Sequence, residues 1–413
     1  MGTVTSVDWV YNDGSTQYNL DFGAAPQEQM GIQVEFNYGY SSDLWPKHNW
    51  INEGMWRYRG FLPLDDGPIL YPLPVGGTPL LQVPELRRRL NLPGLFIKDE
   101  TRGPTGSNKD RATALVLEQA LRLGIRTVTC ASTGNVATSL SMGAAASGLQ
   151  AVVFVPEQVS AAKLQFMLLG GATVFKVAEG YEAAFRLSRQ AAQEFGWMDR
   201  NTGVNPVTLE AKKTVAFEIW EQLGGRMPDV AVAPVGDGPT LCALAKGFRE
   251  LVQCGLADKM PRILGVQAAG CQPVKQSWEQ NQPVQAVTAH TLADGIAVGN
   301  PVSGGAVLRD VRESHGAFVA VSDDRMLAAI QTLAKYGGIW VEPAGAAAFA
   351  GLQEAITQQL VTPDETVVVM VTGSGLKTPQ YLQSEGRAIE VKTGLDVQAG
   401  IEEIRKFALQ NQA

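Results

Sequence analysis

The sequence predicts an α/β fold of two interwoven domains, with parallel sheets flanked by helices. Three observations carry that expectation. From about Pro72 onward, short β-rich apolar runs alternate with segments of helical periodicity, the pattern of a parallel sheet covered by helices. At 413 residues the chain is too long for one small core. No internal repeat or low-complexity linker separates its parts, so the lobes are interwoven rather than strung together.

Taken in order, residues 1–60 are rich in Tyr, Trp, Asn and Asp without a clean period, and read as an arm that packs on the body or on a neighbouring subunit. Pro104, Gly106 and Ser107 form a turn, and a helical apolar pattern begins at Ala112. Residues 127–132 (TVTCAS) read as a strand leading into a helix near Asn135. Strands follow at 151–156 and 173–178, with helices at 161–170 and from Tyr181 to Phe195. Residues 230–236 (VAVAPVG) are a strand entering a helix near Thr240, and 262–270 and 366–375 are further buried strands.

Composition bounds the function. Apolar residues make up 45% and charged residues 18%, ordinary for a folded protein, and a net charge of −7 argues against nucleic acid or an anionic membrane surface as partner. No apolar run approaches the roughly 18 residues a membrane span needs. The N-terminus lacks a signal-peptide layout. Gly2 and Ser6 match a loose myristoylation pattern, but no polybasic stretch supplies a second membrane signal, so a cytoplasmic location is expected. Cys130, Cys242, Cys254 and Cys271 form no CxxC pair and read as reduced, buried thiols; His48, His290 and His315 lack metal-ligand spacing, and no metal is expected.

Four segments carry chemistry. Lys109 stands at a helix start, where the partial positive charge disfavours a second cation and pushes the amine toward its neutral, nucleophilic form. A solvated Lys-Asp-Arg run capping a surface helix is the plain alternative. Ala131-Ser132-Thr133-Gly134-Asn135 joins a strand to a helix, where free backbone N–H groups make a cradle for a carboxylate. Pro234-Val235-Gly236-Asp237-Gly238-Pro239-Thr240 repeats that junction with the glycines of a phosphate-binding turn, although Asp237 adds a negative charge and Pro239 removes a donor. Thr372-Gly373-Ser374-Gly375 follows the apolar VVVMV, so its hydroxyl stands at a strand's carboxyl end, where α/β ligands bind.

Together, in this order and spacing, the segments resemble the fold-type-II pyridoxal-phosphate (tryptophan synthase β) family, and the threonine synthase branch most closely. The resemblance runs from about Met55 to Leu382. It also takes in Met55-Trp56-Arg57-Tyr58-Arg59, Phe61-Leu62-Pro63, Gly76-Gly77-Thr78-Pro79-Leu80 and Pro104-Thr105-Gly106-Ser107-Asn108-Lys109-Asp110-Arg111. Farther on it includes Asn205-Pro206, Leu209-Glu210, Lys213-Thr214, Gly299-Asn300-Pro301 and Glu342-Pro343-Ala344.

The resemblance implies a fold-type-II enzyme that uses pyridoxal 5′-phosphate, with Lys109 as Schiff-base lysine and proton shuttle. It implies that Asn135 holds the cofactor's 3′-oxygen, that Gly236, Asp237, Gly238 and Thr240 line its phosphate, and that Thr372 faces the pyridine nitrogen. Ser132, Thr133 and Gly134 would bind the substrate carboxylate, and Arg102, Thr208 and Lys213, with Lys212 beside it, stand where a substrate phosphate would be met. The implied reaction is γ-elimination of phosphate from O-phosphohomoserine and addition of water at the β carbon, by a homodimer acting on a small amino acid. Implied domains are an arm at 1–60, a large cofactor domain from 61–108 and 215–390, a small mobile domain at 109–214, and a C-terminal helix or tail at 391–413.

Departures from the family pattern are specific. Asn108 replaces the usual Phe before the lysine, and Gly103 stands where Asn is usual. Thr208 and Ala297 stand where threonine synthases usually carry arginines, and Ala293 to Val298 resembles the serine/threonine dehydratases, so an ammonia-lyase or β-replacement enzyme is the alternative. A non-catalytic relative binding partners through the aromatic arm is the third possibility.

Overall fold

The computed structural model describes residues 3–19, 32–47, 51–159 and 161–382, with positions 398, 401, 404 and 405. Three strands come first, β1 (Val4–Val10), β2 (Thr16–Asn19) and β3 (Gln33–Tyr38), then β4 (Leu80–Gln82), helix α1 (Pro84–Leu90), β5 (Leu95–Asp99) and α2 (Lys109–Arg122). Next are β6 (Thr127–Ala131), α3 (Asn135–Ala146), β7 (Gln150–Pro156), α4 (Ala161–Leu169), β8 (Thr173–Val177), α5 (Tyr181–Phe195), β9 (Met198–Asp199) and α6 (Val207–Gln222). Then come β10 (Val230–Pro234), α7 (Pro239–Gln253), β11 (Arg262–Ala268), α8 (Pro273–Gln280) and α9 (Gly304–Glu313). The series closes with β12 (Ala317–Val321), α10 (Asp323–Thr332), α11 (Pro343–Thr357) and β13 (Val367–Val371). Residues Leu382–Ala413 form a separate short unit, in which positions 398, 401, 404 and 405 are helical; the rest of the expected 391–413 tail, with Gly2 and His48, lies outside the described residues.

The two main sheets are parallel, as the alternating pattern predicts. One has the order β12-β11-β10-β13-β5-β4, with β4 alone antiparallel; the other has the order β8-β7-β6-β9. Every residue of β10 (VAVAP) and β13 (VVVMV) is buried. Helices cover both faces of such a strand, so its sequence is a continuous apolar run rather than an alternation. Among the described residues, each strand and helix expected between Ala112 and Gly375 is present, with ends shifted by a few residues.

Two regions read differently from their sequence. The N-terminal arm, whose sequence shows no clean period, holds a three-stranded antiparallel sheet of order β2-β1-β3. In β1 (VTSVDWV) the polar Ser6 is buried beside Val7, which breaks the period of two that marks a strand. Helix α6 buries every residue from Val207 to Ile219, so it lacks the polar face that betrays a helix, and it runs unbroken across the expected 214/215 boundary.

Glu210, Lys213 and Glu218 inside α6 are compensated by partners on neighbouring elements. Tyr38 donates to Glu210 at 2.9 Å, and Lys213 bridges Glu210 and Glu250 at 2.5 and 2.8 Å. Glu35 of β3 takes Arg249 of α7 and Arg309 of α9 at 3.1 and 2.5 Å, fixing the N-terminal sheet to the body. Farther along α6, Glu218 accepts from Lys98 of β5 and Arg111 of α2, each at 2.7 Å, and Arg111 also reaches Glu100 at 2.7 Å. Burial opposes ionisation of Glu218, yet Arg111 and then Lys98 outweigh it and hold the carboxyl below the usual carboxylate range.

Candidate active site

In open α/β sheets the ligand crevice lies beyond the carboxyl ends of the strands. Here the segments following β6, β10 and β13 open on one cleft of about 1240 Å³, lined also by Asn108 and Lys109. Single-ligand sites occupy roughly 300–1,000 Å³, so the cleft has room for a cofactor and a substrate together.

Lys109 is the first residue of α2 and is partly open to the cleft. Its Nζ donates to Asn108 Oδ1 at 3.1 Å. Surrounding protein lowers the ammonium's proton affinity to about 8; Glu342 and Asp237 oppose that shift, and Arg200 and Lys377 add to it. Burial dominates and favours the neutral amine, in the same direction as the helix start. Condensation of Lys109 with an added aldehyde should therefore speed up as pH rises through about 8 rather than through the ordinary 10.5. Across the same window the unfolded chain holds a proton that the folded chain lacks, so the contribution of Lys109 to stability rises with pH. A rate profile still climbing toward pH ~10 would contradict the depressed lysine.

Two cradles flank this lysine. At the end of β6, Ser132, Thr133 and Gly134 line the cleft and Gly134 caps α3. Its N–H donates to Ser132 Oγ at 3.2 Å, and the first-turn amides that follow have no partner within their own helix. At the end of β10, Gly236, Asp237, Gly238 and Thr240 line the same cleft, with Gly238 capping α7 at φ +102°. A β-carbon at Gly238 would also approach Ser303 Cβ and Val307 Cγ2 to 2.8 Å, so only glycine serves there. Asn108 ties the lysine to this loop, its Nδ2 donating to Thr240 Oγ1 at 3.1 Å, and its N–H donates to the carbonyl of Thr372 at 3.0 Å.

Thr372 itself is buried at the end of β13 and lines the cleft. Asn135 also lines it, but its amide is engaged: Nδ2 donates to Glu342 at 2.7 Å and Oδ1 accepts from Lys377 at 2.5 Å. The cleft therefore gathers Lys109, Ser132, Thr133, Gly134, Asn135, Gly236, Asp237, Gly238, Thr240 and Thr372, all expected from sequence.

Three other expected residues stand elsewhere. The Arg102 side chain is 59% exposed and pairs with Asp99 at 2.9 Å. Thr208 is buried away from the cleft and donates to the carbonyl of Asn205 at 2.8 Å, and Lys213 faces the N-terminal sheet. On a helix buried all round, a step of one residue turns the side chain by about 100°. Lys212, the neighbour of Lys213, is the one that lines the cleft.

Sequence reasoning missed Glu342, Lys377 and Arg200 as site residues. Glu342 is buried at the cap of α11, where burial raises its pKa against Lys377 and Asn135. The Glu342-Pro343 pair, an acid just before a proline at a helix start, was the available signal. Arg200 is fully buried and donates to Thr113 Oγ1, Thr202 Oγ1 and the carbonyl of Lys109 at 3.0, 2.8 and 3.3 Å. No motif marks it.

This donor set suits pyridoxal phosphate: a depressed amine for the aldehyde, a helix start with a hydroxyl for an anion, and an uncharged hydroxyl at a strand end. The family profile described as "Pyridoxal-phosphate dependent enzyme" matches residues 71–373. Threonine synthase from Methanocaldococcus jannaschii is 35% identical over 348 residues, covering 83% of this chain and 86% of that protein. Threonine synthase from Methanosarcina acetivorans is 38% identical over 331 residues, covering 79% and 80%. Among solved structures, a threonine deaminase from T.th. superposes with a TM-score of 0.61 at 25% identity, covering 76% of this chain and 94% of that one. A fungal L-serine ammonia-lyase from Rhizomucor miehei gives 0.63 at 22% identity, covering 74% and 98%, and so shares the fold.

Proposed function

Because this chain belongs to the pyridoxal-phosphate-dependent enzymes, we propose that it is a threonine-synthase-like lyase, eliminating phosphate from O-phosphohomoserine and adding water at the β carbon. The observation that supports this reading most is the placing of Lys109, with its depressed proton affinity, between two N–H-rich helix starts in one cleft. When bound, the cofactor supplies an electron sink for charge developing on the amino-acid carbons. In this reading Ser132, Thr133 and Gly134 hold the substrate carboxylate, and Lys109 Nζ carries protons on and off the substrate. Asn135, fixed by Glu342 and Lys377, presents its amide at a set angle. Closure of the 109–214 segment excludes water, and the Lys163–Asp294 ion pair between α4 and the loop before α9 is a contact that closure would use.

A second reading, ammonia release or β-replacement on a serine- or threonine-type substrate, is favoured by one observation. Thr208 offers no charge and lies off the cleft, while the small Ala297 lines it. The deciding experiment incubates holoenzyme with a panel of amino acids and their phosphate esters while phosphate, ammonia and 2-oxo acid are followed. Release of phosphate from the homoserine ester with threonine formed supports the first reading. Ready deamination of threonine with no phosphate released from any ester replaces it with the second.

Thr372 separates a functional from a structural role. A carboxylate there would favour a protonated pyridine and change which carbanions are stabilised. The Thr372→Asp enzyme is expected to retain cofactor but lose most of its elimination turnover. Unchanged turnover would mean that Thr372 only shapes the turn.

A further inference from the structure

Most charges buried inside this protein have a partner of opposite sign, and Lys212 does not. It is 3% exposed, lies on α6 between Glu210 and Glu218, and lines the cleft. Among the described residues no hydrogen bond or ion pair reaches its ammonium. Arg200, its fully buried neighbour, donates only to uncharged oxygens. Lys109 adds a third nitrogen to the group. Glu342 bears on Lys109, and Asp110 and Asp199 bear on Arg200; the acid that bears on Lys212 is Asp237, whose Oδ1 already accepts the N–H of Val302 at 2.8 Å.

A buried cation without a counter-charge is costly, and the usual outcome is loss of its proton. Burial, then Lys109 and Arg200, do push Lys212 far below the ordinary lysine range, with Asp237 and Cys242 opposing. An anion arriving in the cleft would reverse that shift and keep the proton in place. Asp237, Gly238 and Thr240 line the same cleft at the start of α7, a 15-residue helix whose first amides have no partner within it. Pro239 removes one donor there, so the loop is a poorer anion cradle than its glycines suggest and leaves room for a side-chain cation.

We propose that Lys212 is the counter-ion of a phosphoryl group held where α6 passes the start of α7. The shared chemistry is a phosphate monoester, and two molecules can bring it: the cofactor, or a phosphorylated substrate. The proposal rests on the cofactor family and not on the phosphohomoserine reading, so failure of that reading leaves the cofactor source standing.

The test compares full-length wild type with Lys212→Met and Lys212→Arg. Holoenzyme is stripped by dilution, and the dissociation constants of pyridoxal phosphate and of pyridoxal, which lacks the phosphate, are measured. If the cofactor is the source, Lys212→Met weakens pyridoxal phosphate by about 10-fold or more and pyridoxal by less than about 2-fold. If the substrate is the source, both constants hold. The KM for a phosphate ester then rises about 10-fold with kcat nearly unchanged, and competition by inorganic phosphate weakens in parallel. Lys212→Arg should recover most of either effect. Because methionine removes a buried amine that lacks a partner among the described residues, the unfolding midpoint of stripped Lys212→Met should equal or exceed that of wild type. A lower midpoint, or a variant that fails to fold, would give Lys212 a structural partner and overturn the proposal. So would a folded variant with all three constants unchanged.

Discussion

Replacing Lys109 with alanine is expected to abolish covalently held cofactor and to lower turnover by on the order of 10³–10⁴-fold, the range for loss of a positioned proton-transfer group. The expectation rests on exclusivity. Lys377 is tied to the carbonyls of Thr105 and Gly106, each at 3.1 Å, and to Asn135. Lys212 lies on another helix, and Lys98, Lys213 and Lys246 are buried in ion pairs. The visible absorbance of the bound cofactor should vanish, and borohydride reduction followed by peptide mapping should label residue 109 in wild type only. A reducible linkage at another lysine in the variant would refute the assignment. Fold should survive, because the Lys109 side chain has one internal hydrogen bond to lose.

Glu218→Ala should give the largest loss of stability, about 3–5 kcal/mol, the cost of removing one partner from a buried charge group. Lys98 would be left with the carbonyl of Thr78 and Gln222, and Arg111 would keep Glu100, Thr214 and the Thr78 hydroxyl as acceptors. Two buried cations would then face one acid. The loss would appear as a lower midpoint in urea at pH 7. Because the folded protein holds Glu218 below the usual carboxylate range, its contribution is complete above the unfolded value near 4.3 and fades as pH falls below it. The gap between variant and wild type should narrow in acid for the same reason. A difference under about 1 kcal/mol at pH 7 would mean that the group relaxes to a satisfied arrangement without its central acid.

Much of this architecture was legible in the sequence because strands buried on both faces announce themselves. VVVMV and VAVAP have few alternatives to a central parallel strand, and the turns after them fall at the ends that build a cleft. Legibility ended where burial and polarity part company. The sequence of helix α6 gives no hint of its central place, because residues such as Lys212, Lys213 and Glu218 ordinarily face solvent, although each is at most 3% exposed here. By the same ambiguity Arg102, Lys212 and Lys213 read alike as candidate substrate cations, although Arg102 and Lys213 pair with Asp99 and Glu210. Glu342 lines the cleft, and Arg200 supports Lys109 from behind it, only through long-range packing of β13, α11 and β9, which no local spacing encodes.

Because α6 is gripped by charge on one side through Tyr38 and Glu250 and on another through Lys98 and Arg111, its rotation about its own axis is fixed. The N-terminal sheet is therefore not a detachable ornament. In recombination between relatives, β3 would have to travel with α6, α7 and α9, since a foreign strand lacking Glu35 and Tyr38 would strand Arg249, Arg309 and Glu210 among mismatched neighbours. The segment least like a catalytic domain in its sequence is thus inherited as a block with the helix that carries Lys212 to the cleft.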